Sequence, residues 1–388
     1  MPAILLDRWR VVLFITHVAN DMLYASIPPL LPLLGIQKGF SVAALGVIPA
    51  AYMVVASFLQ VGVGILFDKR PSVLYIPIGL SVGGAAVASI GFLDNYYLLV
   101  AAAVLGGVGS ALFHPTATSL SSSSAKRSVS VSLFIAGGGL GLAAGAFLSS
   151  QLAQILGTHA TAVFLPVTVA AAIASILFVK NNTGKNMQAV GGHVGKAWNT
   201  PLMLLVIASL LRGILMMSLV TYLPLYLAAE GYNLAGAGGI LTLLLLTGAA
   251  GMVQAGFLAE KFGRLKVTTA LLILSGLLCI SIVSIPIIYV FVPVAFLGFF
   301  IQAIVPLMVA ETHELLPNNL GLASALIYGV TLGLSNLVVP LVGAAIDIWG
   351  YRPVFTGLVL LPFIGSLLVV RVQISRKSVS SILNGKVG

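Results

Sequence analysis

Apolar residues follow one another in runs of about twenty, separated by short polar or charged connections, almost from one end of the chain to the other. A helical run of that length rises ~1.5 Å per residue and covers roughly 30 Å, the thickness of a bilayer's hydrocarbon core. The pattern predicts helical spans at 11–34, 42–67, 73–92, 97–120, 129–152, 160–179, 201–227, 235–257, 267–286, 289–312, 321–346 and 353–370, about twelve in all. The first run, Val11 to Leu34, is too long for the apolar region of a cleaved leader, contains Asp21 and lacks a small-residue cleavage site. It reads as a retained first helix.

Composition agrees with a bilayer as solvent. Of 388 residues, 59% are hydrophobic and 7% charged, whereas soluble domains carry roughly 25% charged residues. The net charge of +10 comes from basic residues set singly or in pairs beside the spans. No solvated basic face results, and no nucleic-acid partner is expected. The single cysteine, Cys279, lies in an apolar run, so the chain by itself offers neither a disulfide nor a cysteine metal site. Neither a cofactor nor a metal is expected. Glu311, His313 and Glu314 lack recognisable metal-ligand spacing and read as the solvated end of the tenth span.

Charge sets the orientation. With the N-terminus inside, all the lysines and arginines in the connections and tails face the cytoplasm except Lys38 and Arg352. The positive-inside rule therefore expects both termini in the cytoplasm and an even number of spans. Trp9, Trp198 and Trp349 each fall just beyond a span end, in the layer that amphipathic rings prefer. The segment 180–200, rich in Gly and Asn, divides the chain nearly in half and is expected to be a cytoplasmic linker. It would join an N-terminal six-helix bundle, 1–179, to a C-terminal bundle and short tail, 201–388.

The halves repeat. An offset of 192 residues superposes Pro32 on Pro224, Gly39-Phe40-Ser41 on Gly231-Tyr232-Asn233, Gly46 on Gly238, Gly64 on Gly256, and Asp68-Lys69 on Glu260-Lys261. The same offset pairs Gly106 with Gly298 and Gly141 with Gly333. Parallel repeats of this kind build two helical bundles that rock about a midplane site.

Two further patterns carry a family resemblance. Gly64-x-x-x-Asp68-Lys69-Arg70 follows the second span and Gly256-x-x-x-Glu260-Lys261-x-Gly263-Arg264 follows the eighth. Both resemble the cytoplasmic loop signature of the major facilitator superfamily, although Pro71-Ser72 follows the first copy in place of glycine and basic residues. The resemblance implies an all-α membrane protein of two pseudo-symmetric six-helix bundles, working as a monomer, with its first, fourth, seventh and tenth spans lining a central cavity. It assigns gating roles to the loop residues, and Asp68 is expected near the positive N-terminal end of the eleventh span. Thr16-His17-Val-Ala-Asn20-Asp21, Pro28-Pro29-Leu-Leu-Pro32, Phe113-His114-Pro115 and Gly137-Gly138-Gly139-Leu-Gly141 are similar to the fosmidomycin-resistance group. That likeness implies an efflux pump driven by the proton gradient. The fifth-span run, ending at Gly145-Ala146, lacks the proline usual in antiporters.

Candidate functional residues are polar ones inside spans. His17, Asn20, Asp21 and Tyr24 recur at intervals of three and four, on one face of the first span. Asp21 and Arg212 both lie near mid-membrane, and the repeat aligns Arg212 with Asn20. Ionisable groups at such depth face a wet cavity or find partners, so Asp21 and Arg212 are expected to face one another across the cavity. They form either a coupling pair or a structural ion pair. Arg212 alternatively clamps an anionic substrate through its planar fork. His114 lies at a depth comparable with His17, and each is either a proton relay or a hydrogen-bonded packing residue. Gln302 in the tenth span aligns with Ser110 in the fourth, and both either line the cavity or pack helices. The Gly106–Gly109 and Gly137–Gly145 stretches suit close helix approach.

These features point to a secondary transporter in the cell membrane, driven by a proton or another ion and exporting a small amphipathic or anionic solute. Uptake of a carboxylate or sugar by symport uses the same residues. No zinc-protease spacing, nucleophile elbow or phosphate loop is present to make the chain an enzyme, and no pore-loop repeat makes it a channel.

Overall fold

The computed structural model describes residues 8–122, 127–179, 199–317 and 319–384, with the backbone alone at Asp68, 127–129, Leu320 and 376–384. The expected linker falls mainly on 180–198, outside the described residues. Every described element is helical: α1 Arg8–Ala25, α2 Leu31–Lys38, α3 Val42–Lys69, α4 Tyr75–Ile90, α5 Tyr96–Ser122, α6 Arg127–Leu156, α7 Phe164–Phe178, α8 Thr200–Ala229, α9 Leu234–Phe262, α10 Arg264–Ser284, α11 Phe291–Leu315, α12 Leu320–Ser324, α13 Thr331–Trp349, α14 Tyr351–Leu358 and α15 Leu360–Asn384. With no water to satisfy backbone groups in hydrocarbon, a helix that closes all its own bonds is the stable solution for such runs. Among the described residues, ten stretches are long and apolar enough to cross a membrane, including the 49-residue stretch Ser130–Phe178 that holds most of α6 and all of α7. The shorter apolar helix Tyr75–Ile90 fills the third predicted span, so each span read from the sequence has its helix. The eleventh span is not uniform, because a π-helical turn, Ala325–Val330, joins α12 to α13.

The repeat is visible as local structure. Gly39 ends α2 with φ +66° and Gly231 follows α8 with φ +96°, a left-handed conformation that glycine adopts without a Cβ clash. Two residues later the Ser41 hydroxyl accepts from Ala44 N (3.2 Å), and Asn233 Oδ1 accepts from Gly236 N (2.8 Å). The same turn and the same helix start are thus built twice.

The chain divides into two compact units. The first gathers the described residues of Met1–Ala189 with Ser218–Leu246 and Asn336–Ile348. Its core includes Leu13, Ile76, Leu80, Phe113 and Phe134. Glycines let α6 run against the backbone of α1: a Cβ at Gly137, Gly141 or Gly145 would lie 2.8, 2.5 or 2.4 Å from the carbonyl oxygens of Phe14, Val18 and Met22. The second unit gathers the described residues of Val190–Met217, Thr247–Ser335 and Trp349–Gly388. Its core includes Leu205, Leu271, Leu272, Ile304 and Met308. Cys279 is buried there, its Sγ 3.7 Å from the Phe355 carbonyl oxygen.

Within the first unit the segments from the C-terminal half pack on the N-terminal helices through two related contacts. Tyr222 of α8 donates its hydroxyl hydrogen to the Val339 carbonyl (2.7 Å) and fills the space that a Cβ at Gly46 or Gly343 would occupy. Ser150 of α6 fills the corresponding space at Gly238. Gly46 and Gly238 are equivalent in the repeat, so both halves use the same position for close approach. Beside this seam the Asp347 carboxylate accepts from Val42 N (2.8 Å) and Ala43 N (2.9 Å), satisfying two of the orphan donors that begin α3. An Asp347→Ala variant is expected to lose about 1 kcal/mol of stability, the usual contribution of such a cap. A lower melting temperature in detergent checks it, and unchanged melting refutes it.

Candidate functional site

The polar face of the first span is held by α1 and completed by α5. His17 Nε2 lies 3.3 Å from Asp21 Oδ2, one helical turn on, and His114 Nε2 of α5 lies 3.5 Å from Asp21 Oδ1. Asn20 Nδ2 donates to Asp21 Oδ1 (2.9 Å) and to Ser110 Oγ (3.4 Å), and sits 3.5 Å from His114 Nδ1. The Asp21 side chain is 15% exposed and that of His17 8%. Phe134 of α6 stacks on the His17 ring at 3.9 Å between centroids.

The other ring nitrogen of His17 fixes its proton. His17 Nδ1 lies 2.6 Å from the Phe134 carbonyl oxygen, which only accepts, so Nδ1 carries the hydrogen. In a neutral His17 ring, Nε2 then presents a lone pair to an acceptor oxygen of Asp21. His114 Nδ1 lies 3.1 Å from the Ser110 carbonyl oxygen and 3.2 Å from Ser110 Oγ, contacts that suit either tautomer, so a neutral His114 is able to donate from Nε2 to Asp21. The His17 lone pair therefore faces the carboxylate, a contact that becomes favourable when a proton lies between them. The three groups offer ligand atoms within 4.8 Å of one another, a set small enough to share one proton or one metal ion. Tyr24, one turn beyond Asp21, is buried with its ring 5.5 Å from that of Tyr52.

In the second unit Arg212 Nη1 donates to Gln302 Oε1 (3.0 Å) from the middle of α8, and the residue is 6% exposed. Asp21 is engaged by His17, His114 and Asn20, and among the described residues of the second unit no carboxylate lies within ion-pair distance of Arg212. Arg212 and Gln302 are the repeat partners of Asn20 and Ser110, whose side chains also bond one another. One pair of positions, three spans apart along the chain, thus meets in each half.

The sequence profile of the Major Facilitator Superfamily matches residues 13–292 and 234–386. The chain belongs to this superfamily. It is similar to the uncharacterized MFS-type transporter YfnC of Bacillus subtilis (strain 168), 26% identical over 373 residues that cover 92% of this chain and 91% of YfnC. It is also similar to the fosmidomycin resistance protein of Escherichia coli (strain K12), 24% identical over 368 residues covering 92% and 90%. Among solved structures, the nucleoside transporter NupG has a TM-score of 0.74 at 12% identity, covering 94% of this chain and 98% of NupG. A bacterial homolog of the human lysosomal transporter Spinster, inward-facing and occupied, has a TM-score of 0.74 at 12% identity, covering 94% and 96%. At such identities these two likenesses speak for the fold. The protein is a multi-pass membrane transporter of the superfamily and not an enzyme.

The superfamily loop signatures occupy the ends of α3 and α9. Gly64 lies in α3, Lys69 and Arg70 are exposed at its end, and the side chain of Asp68 is outside what is described. In the second copy Gly256 faces open space, Glu260 and Lys261 are exposed, and Gly263 (φ +87°) turns the chain into α10. Arg264 opens α10 with Nε 3.3 Å from Glu311 Oε2 and with a guanidinium nitrogen on Glu314. Glu314 is exposed as expected, but Glu311 is buried at 3% exposure. The end of the tenth span is therefore no freely solvated terminus, because its acids anchor the signature arginine. His313 Nε2 bonds Ser324 Oγ at 2.8 Å, fixing the start of the eleventh span.

Asp347 is the residue that sequence reasoning passed over. Its signal was present, since Gly343-x-x-x-Asp347-x-x-Gly350 repeats the spacing of the loop signature, and Gly350, like Gly263, has a left-handed φ (+80°).

Proposed function

We propose that this transporter is proton-coupled and exports a small amphipathic or anionic solute by alternating access, with Asp21, His17 and His114 as the proton site. One observation carries the reading: the Nδ1 hydrogen of His17 is committed to a backbone carbonyl, so the contact between Nε2 and the Asp21 carboxylate is favourable only with a proton between them. Gaining or losing that proton changes the charge of a mostly buried cluster, and such a change biases a two-state element. Export is favoured over uptake by the similarity to a protein named for fosmidomycin resistance. In this reading residues 1–179 and 201–388 rock as two bundles joined by the 180–200 segment, with both termini cytoplasmic, the monomer as working unit and the loop residues gating the cytoplasmic side.

Purified protein in vesicles with a trapped pH dye tests it. Solute moving down its gradient is expected to drive protons the opposite way. Protons moving with the solute make the protein a symporter and overturn export by antiport, and solute movement that leaves the dye unchanged overturns proton coupling.

A further inference from the structure

The second unit carries a polar site that the proton cluster does not use. Arg212 lies roughly 18 Å from the start of α8 at ~1.5 Å per residue, deep in the span. Its one hydrogen-bond partner of known geometry is an uncharged amide, and its Nε is buried without a hydrogen-bond partner. A guanidinium deep in a span, with no carboxylate within ion-pair distance among the described residues of its unit, is disfavoured even on the mildest scale, and a ligand of opposite charge would compensate it.

The surroundings hold it in place. Ser209 and Thr331 hydroxyls meet at 3.3 Å, Ser335 Oγ donates to the Leu210 carbonyl at 3.3 Å, and a Cβ at Gly213 would lie 2.3 Å from Ser335 Oγ. These contacts clamp α8 to α13 around Arg212. Gln302 is wedged in turn, since a Cβ at Gly248 of α9 would lie 2.8 Å from its Cγ. Because Gln302 must turn its carbonyl oxygen to the guanidinium, its NH2 group points away from it. What the pair offers beyond its mutual bond is mainly N–H donors around a positive charge, with the Gln302 oxygen turned to the guanidinium. Tyr328, within electrostatic reach of Arg212, comes from the π-helical turn, a distortion frequent at functional sites.

We infer that Arg212 and Gln302 form the substrate-recognition site and that it takes an oxyanion, a carboxylate or a phosphonate-like group, in preference to a neutral or cationic solute. The inference rests on the transporter reading and divides labour between the repeats. The Asn20–Ser110 position lies beside the proton cluster, and the equivalent Arg212–Gln302 position holds the anion. Guanidinium suits both anions because its planar fork bonds two oxygens at once.

The test compares four probes that share one apolar ring: benzoate, phenylphosphonate, benzamide and benzylammonium. With detergent-purified protein, at least one of the two anions is expected to raise the unfolding temperature with saturation, and benzamide and benzylammonium are not. Which anion binds tells carboxylate from phosphonate chemistry. Arg212→Gln is expected to weaken the anion at least ~10-fold, equivalent to about 1.4 kcal/mol. Gln302→Leu leaves the charge in place and is expected to weaken it several-fold, which serves if the Arg212 variant does not fold. Equal binding of benzamide or benzylammonium, binding of none of the four, or anion binding that survives both changes overturns the inference. The vesicle assay separates this outcome from failure of the coupling reading. Proton flux driven by a neutral or cationic solute leaves coupling intact and removes the anion site, whereas intact anion binding without proton flux does the reverse.

Discussion

Asp21→Asn is expected to lower solute-driven proton movement on the order of 100-fold, the scale on which a positioned proton-transfer group acts, while leaving the protein folded and solute binding within a few-fold. The substitution is nearly isosteric. An amide at position 21 keeps an acceptor for Asn20 Nδ2 (2.9 Å in the parent) and gains N–H donors that suit the lone pair of His17 Nε2. It therefore satisfies the geometry while removing the titrating group, so a loss of coupling is not mistaken for a loss of fold. His17→Gln is the companion change, because it removes one proton-sharing partner and the bond to the Phe134 carbonyl together. The decisive measurement is the initial rate of dye response in vesicles at matched protein density. An Asp21→Asn protein that moves protons at the parental rate would place coupling elsewhere.

The second large effect concerns the seam between α1 and α6. Gly141→Val is expected to prevent recovery of monodisperse, folded protein, or to lower its stability by about 3 kcal/mol, the upper end of overpacking costs. Its first added carbon would already lie 2.5 Å from the Val18 carbonyl oxygen and 3.1 Å from Asp21 Cβ. The obstacle is backbone, which cannot rotate aside as a side chain does, and the neighbours Gly137 and Gly145 meet the same helix at the same spacing. Small residues four apart let two membrane helices approach to backbone contact, so one β-branched residue forces the whole seam apart and displaces His17 and Asp21 with it. Gly239→Ala in α9 is the control, since nothing lies within 4 Å of the Cβ it would add. Size-exclusion profile and thermal unfolding in detergent report both, and parental behaviour of Gly141→Val would refute the tight seam.

Much of this protein was settled along the chain itself. Span positions follow from hydropathy, because each membrane helix satisfies its own backbone and must be apolar where lipid surrounds it. The repeat was legible for the same reason: the turns at Gly39-Phe40-Ser41 and Gly231-Tyr232-Asn233 depend on local conformation, and a left-handed glycine followed by a capping side chain is written in adjacent residues. Half of the cluster around Asp21 was readable as well, since His17 and Asp21 are one helical turn apart.

Tertiary structure alone decided which distant groups meet. Spacing within α1 says nothing of His114, which reaches Asp21 from α5, or of the Phe134 carbonyl that fixes the tautomer of His17. Likewise depth along a span does not name hydrogen-bond partners, and it is packing within each unit that sets Arg212 at Gln302 and Asp21 at its histidines. Glu311 offered no local reason to be buried until α10 brought Arg264 against it, and Asp347 becomes a cap only because α13 ends beside the first turn of α3. Hydrophobic pattern is a property of each helix against its solvent, whereas hydrogen-bond partners depend on how helices are rotated and set against one another. The chain therefore determined where its helices are, and packing determined what its few buried polar groups can do.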